Sequence, residues 1–240
     1  MLVGQAMNAN ERVISIDDLL VSDISLSNYD EAMSQYEVRG EYAKQAGAAL
    51  ARTLDRNCLK VAVLAARAAA TVSGGNGGTQ LTVATAKTNA DALIAGFFDA
   101  AQAFDEKDVP EQDRYAAVAP DQYYQLVNSS SKAIHRDYLG GGSNGSIADG
   151  TIMRVAGLQI VKTNNLPNSN VATGPAAYQG DFTNTASIVW QRGAIGTVKL
   201  IDLAVESDYL IQNQATLIVA KLAVGHGILR PECAVEIKTA

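Results

Sequence analysis

The order of patterns along the chain predicts an α+β protein. Three observations carry that prediction: an alternating segment over residues 11–26, a proline-free stretch of helical spacing from Asn28 to Ala70, and a series of strand-like segments after residue 150. The chain has 240 residues, 48% of them hydrophobic and 18% charged, and a formal net charge of -6. Such a composition buries a sizeable core and excludes disorder as the overall description. The length suits one large domain or two small ones. Asp and Glu outnumber Lys and Arg, 25 to 19, which is the wrong sign for a protein that grips nucleic acid tightly through its phosphates.

Within residues 11–26, Val13, Ser15 and Asp17 fall on one parity and Arg12, Ile14 and Ile16 on the other, followed by Val21, Ile24 and Leu26. That is a strand with one polar face. Asn28 with Asp30 and Glu31 behind it reads as a helix start, a side-chain cap with acidic residues at the positive end of the dipole. From there Tyr29, Tyr36, Ala43, Leu50, Leu54, Val61, Leu64 and Ala68 recur at steps of three, four and seven. One long helix is the simplest account, spanning about 60 Å at 1.5 Å per residue. It ends at the glycine-rich stretch Ser73 to Gly78. A second helix is expected from about Thr88 to Phe104, a short buried strand over Arg114–Ala119, and a short helix from Pro120 to Val127. Residues 129–150 read as a Ser/Gly-rich loop. Strands are expected at Ile152–Lys162, Ala186–Gln191, Gly196–Val205, Gln214–Val224 and Ala234–Lys238.

Sequence patterns for catalysis and metal binding fail on context. Gly141-Gly142-Ser143-Asn144-Gly145 fits G-x-S-x-G, with Asp202 and His226 following, but no apolar strand enters the turn and no helix pattern leaves it. Ser129 to Lys132 contains S-x-x-K without its partner motifs. Neither His135 nor His226 has metal-ligand spacing around it, and the acidic run Asp105, Glu106, Asp108, Glu111, Asp113 lacks the calcium-loop order. The glycines at 74–78 follow a helix rather than a strand and carry no phosphate-binding lysine. Cys58 and Cys233 form no disulfide framework, and Cys58 reads as a small core residue. The start has no signal-peptide pattern, and the most apolar internal run, Val61–Ala70, is interrupted by Arg67. These observations point away from an enzyme, a cofactor, a metal site and a membrane protein. The edge strand at the N-terminus, by contrast, needs a backbone partner, and a neighbouring subunit is the natural one.

Three motifs carry a family resemblance: D-E-A-M-x-x-Y-x-V-R at Asp30–Arg39, G-T-V-K-L-x-D-L-A at Gly196–Ala204, and G-H-G-x-L-R-P at Gly225–Pro231. In this order they resemble the major capsid protein of short-tailed, T-seven-type podoviruses, including those of marine bacteria. The likeness is close over residues 10–72 and 188–235, moderate over 88–127 and weak over 129–185. It implies the HK97-like tailed-phage capsid fold. Residues 1–27 would then be part of an extended loop, with its return strand at 11–26. Residues 28–79 would be peripheral domain with the spine helix at 28–72, residues 80–190 the axial domain, and 191–240 the peripheral-domain strands. Members of the family carry an arm and an outgoing loop strand ahead of the point where this chain starts, and Met1–Gln5 resembles the middle of that loop. The resemblance thus implies an N-terminally truncated chain whose residues 2–20 lack their hairpin partner.

The implied function is that of a structural protein: a major capsid subunit self-assembling into hexamers and pentamers of an icosahedral virion shell. Its implied partners are copies of itself, a scaffolding protein, the portal, and packaged double-stranded DNA held by weak non-specific contact, with assembly in the host cytoplasm. The negative charge suits an inner surface that must later release DNA. Arg12, Asp17, Arg39, Glu41, Asp202, Glu206 and Arg230 are the charges expected to brace subunits or domains. Each is weighed against an ordinary solvated surface charge, worth under about 1 kcal/mol. Two other readings are an encapsulin-like compartment of the same fold and a soluble hydrolase built on Ser143.

Overall fold

A computed structural model describes residues 10–16, 19–34, 38–128, 145–146, 151–152 and 154–240. In chain order the elements begin with β1 (Leu19–Ser27), α1 (Asn28–Met33), α2 (Val38–Arg67), β2 (Thr79–Thr82), α3 (Ala90–Asp105), β3 (Arg114–Val118) and α4 (Pro120–Asn128). Short strands follow: β4 (Gly145–Ser146), β5 (Thr151–Ile152), β6 (Arg154–Val155), β7 (Leu158–Lys162), β8 (Asn170–Val171) and β9 (Gly180–Asp181). The chain closes with β10 (Thr185–Gln191), β11 (Ile195–Leu210), β12 (Ala215–Ile228) and β13 (Ala234–Lys238).

The residues gather into two compact units. One holds Ile14–Cys58 and Thr197–Gly227, the other Leu59–Gly196, Ile228–Ala240 and the N-terminal residues up to Val13. The second of these is built on a six-stranded sheet of order β2-β13-β10-β3-β7-β6. Its central strands β10 and β3 pair antiparallel, Val189 opposite Ala116, and are buried on both faces. Strand β7 runs parallel to β3, and β2 parallel to β13. The core packs Leu93, Ile94, Phe97, Ala100 and Phe104 of α3 with Leu126 of α4 and with Ala62, Val63 and Ala66 of α2. That α3 spacing is the apolar stripe of an amphipathic helix, and Asn89 caps it by accepting from the Asp91 amide at 3.0 Å.

The Ile14–Cys58 and Thr197–Gly227 unit is a three-stranded sheet of order β1-β12-β11, with part of α2 on one face. Leu20 and Ile24 of β1 share a parity with Ala220, Leu222 and Val224 of β12, and this set meets Ala46, Leu50 and Leu54 of α2.

Several expectations are corrected. The long helix expected over 28–72 is interrupted and ends earlier. Ser34 has extended backbone, φ -74 and ψ 133, and closes α1 by donating its amide to the Asp30 and Glu31 carbonyls. Serine is a weak helix former, and with neither Pro nor Gly there the apolar spacing hides the break. α2 is 30 residues, about 45 Å. The cap of α1 is Ser27, whose hydroxyl accepts from Tyr29 and Asp30 amides, while Asn28 donates to the Tyr209 hydroxyl at 2.8 Å.

The strand expected over 11–26 begins only at Leu19. It is not left unpaired: β1 runs antiparallel to β12 in continuous register from Leu19 opposite Ala223 to Ser27 opposite Ala215. The single strand expected over Ile152–Lys162 folds back on itself, because Ala156 and Gly157 have φ of 51° and 76° and make a two-residue hairpin between β6 and β7.

Candidate assembly surface

In the β1-β12-β11 unit the chemistry that stands out is apolar and unpartnered. α2 packs on β1 and β12, while none of the residues of that apolar cluster comes from β11. The run Leu200-Ile201-Asp202-Leu203-Ala204-Val205 is nearly continuous in apolar residues, the pattern of a strand buried on both faces. Yet Leu200 is 71% exposed, Leu203 50% and Val205 49%, and Val198, Ile201 and Tyr209 are exposed as well. Alternation along a strand sends Val198 and Leu200 to one face and Ile201, Leu203 and Val205 to the other. Both faces of β11 are therefore open, and among the described residues β12 is its sole neighbour in the sheet, which leaves its other backbone edge unpaired by any of them. Among the described residues, Leu19 and Val21 of β1, about half exposed, are the other large apolar residues open on this unit's sheet.

The charges expected to brace subunits sit in local pairs. Arg39 binds Glu31 at 2.6 Å and donates to the Thr216 hydroxyl at 3.3 Å, tying α1, α2 and β12 within one unit. Glu41 faces Lys44 at 3.8 Å along the helix. Asp202 accepts from the Leu203 amide and from Lys199 at 3.2 Å; the amide bond, then the lysine, holds its carboxyl below the usual range. Glu206 meets Lys221 across β11 and β12 at 2.5 Å. Arg230 pairs with Glu232 at 2.8 Å, and that hydrogen bond raises its guanidinium above the ordinary value. Arg12 donates to the Thr71 hydroxyl at 3.3 Å. The structure brings two of the seven together: Arg12 and Arg230 line one cavity. Asp17 lies outside the described residues, as do His135, Lys132 and Ser143.

The G-H-G motif has a steric reason. A Cβ on Gly225 would stand 2.3 Å from the Ser15 carbonyl oxygen, and one on Gly227 2.7 Å from Ile14 Cγ1. The two glycines are notches in β12 that seat residues 14–16. His226, between them, points to the other face of the strand, is buried, and shares a 2.9 Å hydrogen bond with Thr197 Oγ1.

Sequence reading missed the buried ion pair of Arg67 with Glu236, and it missed β11 as an exposed surface. The signal for the first was an arginine breaking the apolar run Val61–Ala70. For the second it was the nearly unbroken apolar run Leu200–Val205, a composition written for burial on both faces.

Among the described residues no group of three or more His, Cys, Asp and Glu is placed to hold a metal ion, and no helix is long and apolar enough to cross a membrane. The acidic run near residue 105 is partly committed elsewhere: Asp105 binds the buried Arg114 at 2.8 Å.

Residues 2–238 match the sequence profile of the Gp10A-like family, described as major capsid protein. The chain belongs to this family. Among its relatives, the major capsid protein of Enterobacteria phage T3 is 31% identical over 93% of this chain and 72% of its own length. That of Escherichia phage T7 is 30% identical over the same shares. The capsid structure of Cyanophage P-SCSP1u superposes with a TM-score of 0.87 at 36% identity, covering 100% of this chain and 77% of that one. As a Gp10A-like protein the chain is a structural phage capsid subunit with the HK97-like fold. The β11 surface then belongs to a protein whose surroundings are other subunits.

Proposed function

We propose that this Gp10A-like subunit closes, as hexamers and pentamers, into an icosahedral head around double-stranded DNA. The observation that carries the reading is β11: a strand with buried-strand composition, open on both faces and along its edge. Exposed apolar surface of this extent marks an interaction site, and an open edge of this length is a hazard in a free monomer. In an assembly, neighbouring copies remove both liabilities. Residues 1–27 serve as the extended loop, 28–79 and 191–240 as peripheral domain, and 80–190 as axial domain. Scaffolding protein and portal guide closure in the host cytoplasm, and DNA is held weakly by a subunit whose net charge is -6. The work of the protein is assembly and not turnover.

Arg12, Asp17, Arg39, Glu41, Asp202, Glu206 and Arg230 remain the charges proposed to orient subunits. The local pairs of Arg39 and Glu206 give them a first task within their own unit. The test is negative-stain electron microscopy with size-exclusion chromatography on the full chain co-expressed with its scaffolding protein. Closed shells of uniform diameter are expected. A chain that stays monomeric, or that forms only irregular aggregates, removes the assembly reading.

A further inference from the structure

The cavity that Arg12 and Arg230 share has a volume of about 450 Å³ and is lined by three segments of one compact unit. The segment carrying Asn10 and Arg12 is fixed to Thr71, through Asn10 Nδ2 to the Thr71 carbonyl at 2.7 Å and Arg12 Nη2 to its hydroxyl at 3.3 Å. The loop after α2 contributes Thr71 and Asn76, and the turn before β13 contributes Arg230 and Glu232.

The donors here outnumber the acceptors. A guanidinium has five N–H groups and no acceptor, and Arg12 uses one of them, on a neutral hydroxyl. Arg230 spends two nitrogens on one carboxylate oxygen of Glu232. Among the described residues Glu232 is the single acid lining the cavity against two guanidiniums, so one positive charge there has no counter-charge from them. The chemistry that completes such a site is a planar oxyanion accepting from an arginine fork, which is the fit of a carboxylate.

We propose that this cavity receives a carboxylate side chain from a neighbouring copy of the chain. Charge complementarity argues for that occupant. The subunit carries 25 acidic residues against 19 basic ones, so in a shell of identical copies each cationic cavity faces surfaces with carboxylates to spare. This inference rests on the capsid reading above. It goes beyond it by assigning Arg12 and Arg230 to one receptor rather than to separate contacts.

The experiment is a side-chain-resolution electron cryomicroscopy map of shells from the unmodified chain, with a salt titration of those shells beside Arg12→Gln shells. Arg12→Gln removes one 3.3 Å hydrogen bond from an exposed side chain, so the subunit is expected to fold as before. The expected map places a carboxylate of an adjacent copy within about 4 Å of the Arg12 guanidinium, and the salt midpoint for disassembly falls about twofold in the variant. Water, a buffer anion or a nucleic-acid phosphate in the cavity, or an unchanged midpoint, overturns the proposal while shells are present. Failure of the unmodified chain to form shells at all overturns both this proposal and the capsid reading.

Discussion

Arg67 and Glu236 make a two-point ion pair at the heart of the larger unit: Nη2 to Oε1 at 2.6 Å and Nε to Oε2 at 2.7 Å. Glu236 is fully buried, and Arg67, a quarter exposed at its side chain, also donates to the Asp181 carbonyl and lies over the Phe182 ring. The pair joins the last residue of α2 to β13, and Thr185 of β10 donates its hydroxyl to the same carboxylate at 2.7 Å. The hydrogen bond to Glu236 raises the Arg67 guanidinium above its ordinary value, so the cation is retained throughout the physiological range.

Removing one partner of a buried pair strands the other charge, at a cost of about 3 kcal/mol or more. Arg67→Ala strands the fully buried Glu236 carboxylate and is therefore expected to destabilise the fold by at least that much; Glu236→Gln turns one acceptor oxygen into an NH2 against the guanidinium but strands an Arg67 that is a quarter exposed and still donates to the Asp181 carbonyl, and should cost less. Urea denaturation of both variants checks the order. Equal midpoints for the two would show that stranding the buried Glu236 carboxylate costs no more than stranding the partly exposed Arg67 guanidinium.

The apolar surface of β11 separates folding from assembly. Leu200 is 71% exposed in the subunit, so Leu200→Lys should change stability by no more than about 0.5 kcal/mol. In a shell the same lysine is buried against a neighbour without a counter-charge, and assembly should fail. Chemical denaturation and negative-stain images of one preparation read both effects.

The notches at Gly225 and Gly227 differ in what fills them. A methyl group at 225 meets backbone, the Ser15 carbonyl, whereas at 227 it meets the flexible Ile14 side chain. Gly225→Ala should cost about 1–3 kcal/mol and Gly227→Ala distinctly less, with limited proteolysis near residues 14–16 rising in the first. The two thermal midpoints decide the ranking.

Cys58 and Cys233 are both held above the ordinary thiol value near 9.0, chiefly by burial, and Cys58 also by the Asp55 carboxylate nearby. A raised value disfavours the thiolate, so both are thiols at pH 8 and react slowly with a disulfide reagent in the folded subunit. Asp55→Asn removes a negative charge, lowers the Cys58 value and should speed its labelling. A rate unaffected by that change, measured across pH 7–10, would leave burial as the sole cause.

How far the sequence revealed the molecule follows from which forces were local. Helix α3 was legible because its apolar stripe and the Asn89 cap lie within its own residues. Strands β10 to β13 were legible because β-branched runs bounded by turn residues need no distant information. The interruption at Ser34 was hidden because apolar spacing continues across it, and no Pro or Gly marks the extended backbone there. Strands β2, β8 and β9 escaped because strands of two to four residues owe their existence to their pairing partners, as Thr79 does to Val235. The charged residues were identified by type, but whether Arg12 meets Arg230 or Arg39 meets Glu31 depends on long-range folding. The β11 surface was written in the sequence as a buried strand, and only the structure shows its apolar side chains exposed.

The central claim is that β11 is completed by neighbouring copies, and hydrogen–deuterium exchange over Ile195–Leu210 tests it directly when the free subunit is compared with assembled particles. The account predicts rapid exchange at the β11 amides that do not bond to β12 in the subunit, and strong protection of the same amides in the shell. Equal exchange of this segment in both states would contradict it.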